Sequence, residues 1–373
     1  MKNIALIVDE INPIDGGGYT LQKDILISLI KRKLKKVNIS IFYGSINNEI
    51  DKIIKNKFKI IKYKKKVKID FLKIFLNNLF NLNFNTELDK VLDNYSINTA
   101  LFIGASGMQV KKKYISTCWD LMHLTHSHFK EFKNIKNWVL RYLNNKFLYK
   151  NSYKIIVGTN VGKFELQKYY QIEDNQIYKI PHPTPSFVFK KKIDYKNLEK
   201  SKYILYPAQF WEHKNHQLLI DLMKIIKEKK IMIKLILLGS DKGELNVIIN
   251  KINKFHLNKF ILIKGFVSEH SLVNYYKNAF ALVYPSFCGP ENLPPLEAMA
   301  CGCPVLVSDI QGHREQLGNS VLYFDPLKPM NVFQELQKLN DRNFRLRLTK
   351  LGYKRSKLFK SHQYISELLN LIK

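Results

Sequence analysis

The stretch "GPENLPPLEAMACGCPV" (289–305) opens with glycine and proline, steps through Pro294-Pro295 and then runs into small and apolar residues around Glu297. Proline suits the first turn of a helix, where its missing N–H would go unpaired anyway, and Asn292 is a residue type that caps helices. The stretch therefore reads as a helix start that carries Glu297 among Leu296, Ala298, Met299 and Ala300. A carboxylate in such surroundings is costly unless it receives hydrogen bonds. The two vicinal hydroxyls of a ribose would supply them, and helix-start N–H groups beside it would face a diphosphate. A capping-box glutamate with no ligand is the plainer alternative. Short apolar runs flank the segment, "ALVYPS" (281–286) before it and "PVLVSD" (304–309) after it. Strand, helix and strand in that order make a parallel crossover unit.

The same alternation runs outward in both directions. Strand candidates upstream are "IALIV" (4–8), "ISIFYG" (39–44), "TALFIG" (99–104) and "KIIVG" (154–158), then "YILYPA" (203–208), "IKLILLG" (233–239) and "FILIKG" (260–265). Lysine-rich helices such as "HQLLIDLMKIIKE" (216–228) lie between them. Continuous apolar strands separated by helices predict parallel sheets covered on both faces. The stretch "IPHPTPSFVFKKKIDYKN" (180–197) interrupts the pattern near the middle. The expected fold is α/β, with two doubly wound domains at 1–185 and 186–345. In the last segment, 346–373, Ile365, Leu368, Leu369 and Ile372 share one helical face, and its helices are expected to pack back on the N-terminal domain. Open parallel sheets bind ligands beyond the carboxyl ends of their strands, so the inter-domain cleft is the expected site.

Lysine and arginine number 61 against 31 acidic residues, a formal charge of +30. Clusters stand at "KRKLKK" (31–36), "KYKKKVK" (62–68), "KKK" (111–113) and "KKK" (190–192). Two readings remain open: a surface that attracts anionic lipid or another polyanion, or a chain that simply favours Lys, Asn and Ile. The two largest runs fall in the first 70 residues, which favours an anionic membrane surface against the N-terminal half. No nucleic-acid module accompanies the charge, so nucleic acid is not an expected partner. There is no apolar run of roughly eighteen residues to span a bilayer, and the run before Asp9 is too short for a secretory signal. Cys118, Cys288, Cys301 and Cys303 read as reduced packing residues. The expected location is cytoplasmic, peripheral on the inner face of the cytoplasmic membrane.

Three further segments carry chemistry. Gly16, Gly17 and Gly18 lie between the first strand and a helix, where they make either a flexible turn or a phosphate loop. "STCWDLMHLTHSHF" (116–129) gathers Asp120, His123, His126 and His128 without HExxH spacing, and Asp-x-Asp is absent from the chain. No metal is expected there; Asp120 and His123 are expected to line the cleft as hydrogen-bond partners of a polar ligand. In "PAQFWEHKNHQ" (207–217), Lys214 stands near a helix start, where a cation opposes the helix dipole. It is either a solvated lysine or one that faces a shared anion.

Taken together, these segments resemble the GT-B glycosyltransferases of glycosyltransferase family 4. The likeness is most specific over 203–326, where "AQFWEHKNH", "KLILLGSDKGEL", "IKGFVSEHSLVNYYKNA", "VYPSFCGPENLPPLEAMACGCPVLVSD" and "LYFDP" follow in the family's order. The resemblance implies two Rossmann-like domains that transfer sugar with retention and without a metal or cofactor, the nucleotide sugar being substrate. It makes Glu297 the second glutamate of the E-x7-E motif, on the ribose; Gly289 stands where the first would be. It gives Lys214 the phosphate, with Gln209 in place of the usual arginine companion, and it assigns the amides of Asn292 and Leu293 to the diphosphate or donor sugar. Backbone at Val267 and the Glu269 side chain would read the base, while Gly16, Gly17 and Gly18 face the diphosphate. Trp119-Asp120 replaces the usual His-Asp pair, with His123 as the substitute histidine. The implied catalytic set is Lys214, Glu297, Asp120 and His123, acting on a glycan or lipid-linked acceptor in cell-surface polysaccharide synthesis. A nucleotide-sugar epimerase of the same fold and a non-catalytic nucleotide-sugar or polyanion-binding protein are the alternatives.

Overall fold

A computed structural model describes residues 2–10, 12–32, 34, 37–44, 48–64, 66–189, 193 and 202–372. Its strands form two sheets that are parallel throughout. The N-terminal sheet holds β1 (Lys2–Ile7), β2 (Val37–Tyr43), β3 (Lys59–Lys62), β4 (Thr99–Phe102), β5 (Lys113–Thr117), β6 (Lys154–Val157) and β7 (Ile177–Lys179), in the order β3-β2-β1-β4-β5-β6-β7. The C-terminal sheet holds β8 (Tyr203–Pro207), β9 (Lys234–Leu238), β10 (Ile261–Ile263), β11 (Ala281–Tyr284), β12 (Val305–Ser308) and β13 (Leu322–Phe324), in the order β10-β9-β8-β11-β12-β13. Each sheet grows outward from its first strand in both directions. The winding thus reverses beside β1 in one domain and beside β8 in the other, and such switch points open crevices for ligands.

Side-chain alternation along β1 shows how the sequence builds this. Ile4, Leu6 and Val8 enter one apolar cluster while Ala5 and Ile7 enter the cluster on the opposite face. A strand buried on both faces must be apolar at every position, which is why β1 is legible as a continuous run. β3, β5, β7 and β13 lack that signature: they are three to five residues long, and three of them carry lysine.

The C-terminal helices divide. Arg342–Ser356 stays with the C-terminal domain, where Gly352 lies against Met299 of the helix Leu293–Ala300. Ser361–Ile372 crosses to the N-terminal domain, and Tyr364, Ile365, Leu368 and Ile372 complete a core around the helix Gly17–Ile30. Arg32 fixes the crossing by donating to the His362 carbonyl at 2.5 Å and to Ser366 Oγ at 2.6 Å. Lys33, Lys35, Lys36, Lys65, the cluster at 190–192 and positions 194–197 of the central stretch lie outside the described residues. Among the described residues no helix is long and apolar enough to cross a membrane.

Candidate active site

A cavity of about 480 Å³ lies between the carboxyl ends of β1 and β8. Its N-terminal wall is Pro13, Ile14, Gly16, Gly17, Tyr19 and Lys23, and its C-terminal wall includes Gln209, Val267, Ser268, Glu269, Leu293 and Glu297. Gly16 has φ +72, a left-handed conformation that suits glycine, and it starts the helix Gly17–Ile30. Gly17 faces Leu293 across the cleft: a Cβ there would stand 3.7 Å from Leu293 Cδ1. Gly18 lies one residue beyond and is not part of the wall.

Glu297 projects from the helix Leu293–Ala300 into this cavity, only 5% exposed. Its Oε2 accepts from Tyr276 Oη at 2.7 Å. Burial pushes its carboxyl up to about 7, the Tyr276 hydrogen bond pulls the other way, and the Glu269 charge adds to the rise. Asn292 occupies the N-cap position, yet its side chain caps nothing. A cap accepts from the second or third helical N–H, and here those residues are Pro294 and Pro295. The Asn292 amide group turns instead to a buried network. Its Oδ1 accepts from Tyr284 Oη at 2.8 Å and from Lys214 Nζ at 3.4 Å, and its Nδ2 meets His313 Nε2 at 3.0 Å.

Lys214 ends the single turn Glu212–Lys214 that follows β8, and Asn215 at φ +54 then starts the helix His216–Glu228. Lys214 Nζ donates to Tyr284 Oη at 3.2 Å as well as to Asn292. Among the described residues no carboxylate pairs with it. Burial works against its charge, but Tyr284, Cys288 and Asp120 outweigh that and its pKa is raised. It sits beside the wall of the 480 Å³ cavity and not within it, at the start of the helix that carries Glu297.

Several expected contacts are otherwise engaged. The Asn292 N–H donates to Gln316 Oε1 at 3.1 Å, so of the two expected amides only Leu293 keeps a helix-start N–H without a partner among the described residues. Gln209 Nε2 donates to the Ile14 carbonyl at 2.9 Å and ties the two walls together. Glu269 pairs with Lys23 across the cavity at 3.0 Å, while Val267 lies on the wall beside it. Asp120 stands at the end of β5, accepts from Arg141 Nη2 and from the Met122 N–H at 3.0 Å each, and remains partly exposed.

His123 does not line the cleft. It is fully buried, with Nε2 3.3 Å from Tyr170 Oη, and burial lowers its pKa to about 4. The helix Met122–Thr125 is a single turn, and its phase sends the imidazole inward against Trp138 and Tyr170. Glu291, from the opening segment, reaches into the N-terminal domain. It accepts from the His182 N–H and pairs with His182 Nδ1, both at 2.9 Å, and it fills the space beside Gly158. Glu315 makes a further cross-domain contact, accepting from the Asn160 and Val161 N–H groups. Among the described residues no group of three or more His, Cys, Asp or Glu is placed to hold a metal.

Residues 188–355 match the family model described as glycosyl transferases group 1. O-antigen chain mannosyltransferase RfbU of Salmonella typhimurium is 29% identical over 197 residues, 48% of this chain and 50% of that protein. O-antigen chain mannosyltransferase B of Escherichia coli is 30% identical over 173 residues, 46% of this chain and 45% of that protein. The chain spans about half the length of the curated relatives it matches. A crystal structure of Anabaena Alr3699/HepE in complex with UDP-glucose has TM-score 0.74 and 14% identity, covering 99% of this chain and all of that one. That likeness is one of fold, and with the two parallel sheets it makes the architecture GT-B.

Lys214, Val267, Glu269, Asn292, Leu293 and Glu297 all lie within the matched residues 188–355, whereas Gly16–Gly18, Asp120 and His123 lie outside them. Sequence reasoning missed Tyr276, Tyr284, His313 and Gln316, which complete the surroundings of Glu297 and Lys214 within the same matched stretch. Tyr276 had one available signal, a hydroxylated aromatic on an otherwise apolar helical stripe; the others had none local to them.

Proposed function

We propose that this chain is a retaining, metal-independent glycosyltransferase that moves a sugar from a nucleoside-diphosphate sugar to a glycan or lipid-linked acceptor in cell-surface polysaccharide synthesis. The observation that carries the reading is a pair on one helix start: a buried carboxyl opening on a cavity, and a lysine with no carboxylate partner among the described residues, held by the residue that begins the helix. Glu297 accepts from the ribose hydroxyls. Lys214 and the Leu293 N–H stabilise the diphosphate as it leaves, which is where charge develops in the transition state. The departing phosphate stays beside the face it leaves and takes the proton of the acceptor hydroxyl, whose oxygen attacks that same face of the cationic sugar, so the configuration is retained. Cross-domain contacts such as Gln209–Ile14 and Lys23–Glu269 close the cleft and exclude water. The basic N-terminal half faces an anionic membrane, on the cytoplasmic side.

Two relatives are named O-antigen chain mannosyltransferases, so mannose nucleotides come first in a thermal-shift panel of nucleoside-diphosphate sugars. A donor well above its dissociation constant stabilises the protein by a few kcal/mol. The best donor is then incubated with and without acceptor glycan. Acceptor-dependent product, lost in Lys214→Ala and Glu297→Ala, supports the reading. Sugar isomerisation without acceptor would make the chain an epimerase, and binding without turnover would make it a sensor or carrier.

A further inference from the structure

A second cavity, of about 690 Å³, lies wholly within the N-terminal domain, between the helix Val67–Phe80 and the helix Ile135–Lys150. Leu88, Val110 and Phe71 give it an apolar interior, and Leu140, which is exposed, lies on its outer wall. Its inner end reaches Ile7 and Phe102, at the carboxyl ends of β1 and β4. Ser106, also on its wall, donates its N–H to Asp9 at 3.1 Å, two residues past β1. The donor cavity begins on the same loop, at Pro13. Both cavities therefore open at one edge of one sheet.

The outer end is unlike an ordinary protein surface. In the helix VKIDFLKIFLNNLF (67–80), Ile74 is the one apolar residue that is buried, and Val67, Ile69, Leu72, Leu79 and Phe80 are each more than half exposed. A helix apolar on most sides belongs in apolar surroundings. Lys68 and Lys136 stand at the mouth, exposed, and among the described residues neither has an ion-pair partner. Apolar side chains rimmed by free lysines match an amphiphile with a hydrocarbon chain and an anionic head.

We propose that this cavity seats the hydrocarbon chain of an anionic lipid, with the head held at the lysine-rimmed mouth. Resting on the sugar-transfer reading, that lipid is the carrier of the acceptor, whose sugar end reaches the shared sheet edge. The apolar outer face of Val67–Phe80 lies against the bilayer from which the lipid comes.

The test uses the full chain and dodecyl phosphate below its micelle concentration, with inorganic phosphate and dodecyl maltoside as head-only and chain-only arms, read by titration calorimetry. Dodecyl phosphate is expected to bind at least about tenfold more tightly than either arm, since buried methylenes and the anion both contribute. Leu72→Glu, at an exposed mouth position, and Leu140→Trp, whose larger ring crowds the outer wall, should each weaken it about tenfold or more and leave the donor thermal shift unchanged. Should Leu140→Trp fail to fold, Leu72→Glu carries the result. Equal binding by either folded variant overturns the proposal, as does inorganic phosphate binding as tightly as dodecyl phosphate. So does Leu72→Glu abolishing a concentration-dependent dimer without touching dodecyl phosphate affinity. Loss of the donor shift in the native chain would instead count against sugar transfer, and the lipid site would stand or fall on its own titration.

Discussion

Replacing Tyr276 with phenylalanine removes the hydroxyl that donates to Glu297 Oε2 at 2.7 Å and leaves the ring in its packed place. In the native chain burial lifts the Glu297 carboxyl from 4.5 to about 7, with Tyr276 holding it down. A hydrogen bond to a charged group contributes about 1.5–3 kcal/mol and each pH unit corresponds to about 1.4 kcal/mol, so Tyr276→Phe raises the carboxyl by a further ~1–2 pH units. A ribose diol donates to the ionised form, and the sugar-capped diphosphate does not itself titrate near neutrality. Donor affinity in the native protein should therefore climb with pH and level off above about 7, and in Tyr276→Phe the climb should be displaced upward by ~1–2 pH units. Calorimetric titration with the best donor at fixed ionic strength reads both curves. Stability of the empty protein runs the other way. A folded carboxyl raised above its unfolded value binds its proton more tightly in the fold, so its contribution is full below about 4.5 and is lost as pH rises through about 7, some 3 kcal/mol in all. A native inflection in the ordinary carboxylate range, or one unmoved by Tyr276→Phe, would falsify the placement of Glu297 on the ribose.

Lys214→Ala should lower turnover by about 10²–10³-fold, the usual loss when one donor to a developing anion is removed, with a smaller effect on KM. Steady-state kinetics on the best donor decides it, and a change confined to KM would place Lys214 in ground-state binding only. His123→Leu should keep turnover while changing acid sensitivity. The native imidazole falls from 6.5 to about 4, so its contribution is present above about 6.5 and lost as pH drops through about 4, and the variant's melts at pH 4 and 7 should differ less than the native protein's. Glu291→Ala leaves the buried His182 N–H and Nδ1 without their acceptor and should cost about 1–3 kcal/mol in denaturant unfolding. A loss near zero would mean the cross-domain contact opens freely in solution.

The fold was legible where burial on both faces forced unbroken apolar runs, as in β1, β8 and β12. It was hidden in β3, β7 and β13, which lie at sheet edges and need only partial cover. At the site, Glu297 was legible because proline, glycine and small residues are local signals of a helix start. Tyr276 was not, because its hydrogen bond to Glu297 comes from packing between two separate helices. His123 misled for a related reason: a one-turn helix has too few residues for periodicity to reveal which side faces in.

Asn292 was misread although the sequence held the answer. A helix start normally offers four free N–H groups. Here Pro294 and Pro295 lack two of them, and Gln316 accepts a third from Asn292, so Leu293 is left with one. The same two prolines leave the Asn292 side chain nothing to cap, and it is free to hold Lys214 and Tyr284. The diproline thus weakens the helix start as an anion site and, by the same stroke, supplies the residue that positions a full cation beside it. Neutralisation of the leaving diphosphate accordingly falls on Lys214 to a degree that a helix start with four amides would not require. Restoring amides with Pro294→Ala and Pro295→Ala should therefore lessen the damage done by Lys214→Ala. If the triple variant is as slow as Lys214→Ala alone, the restored amides do not reach the diphosphate.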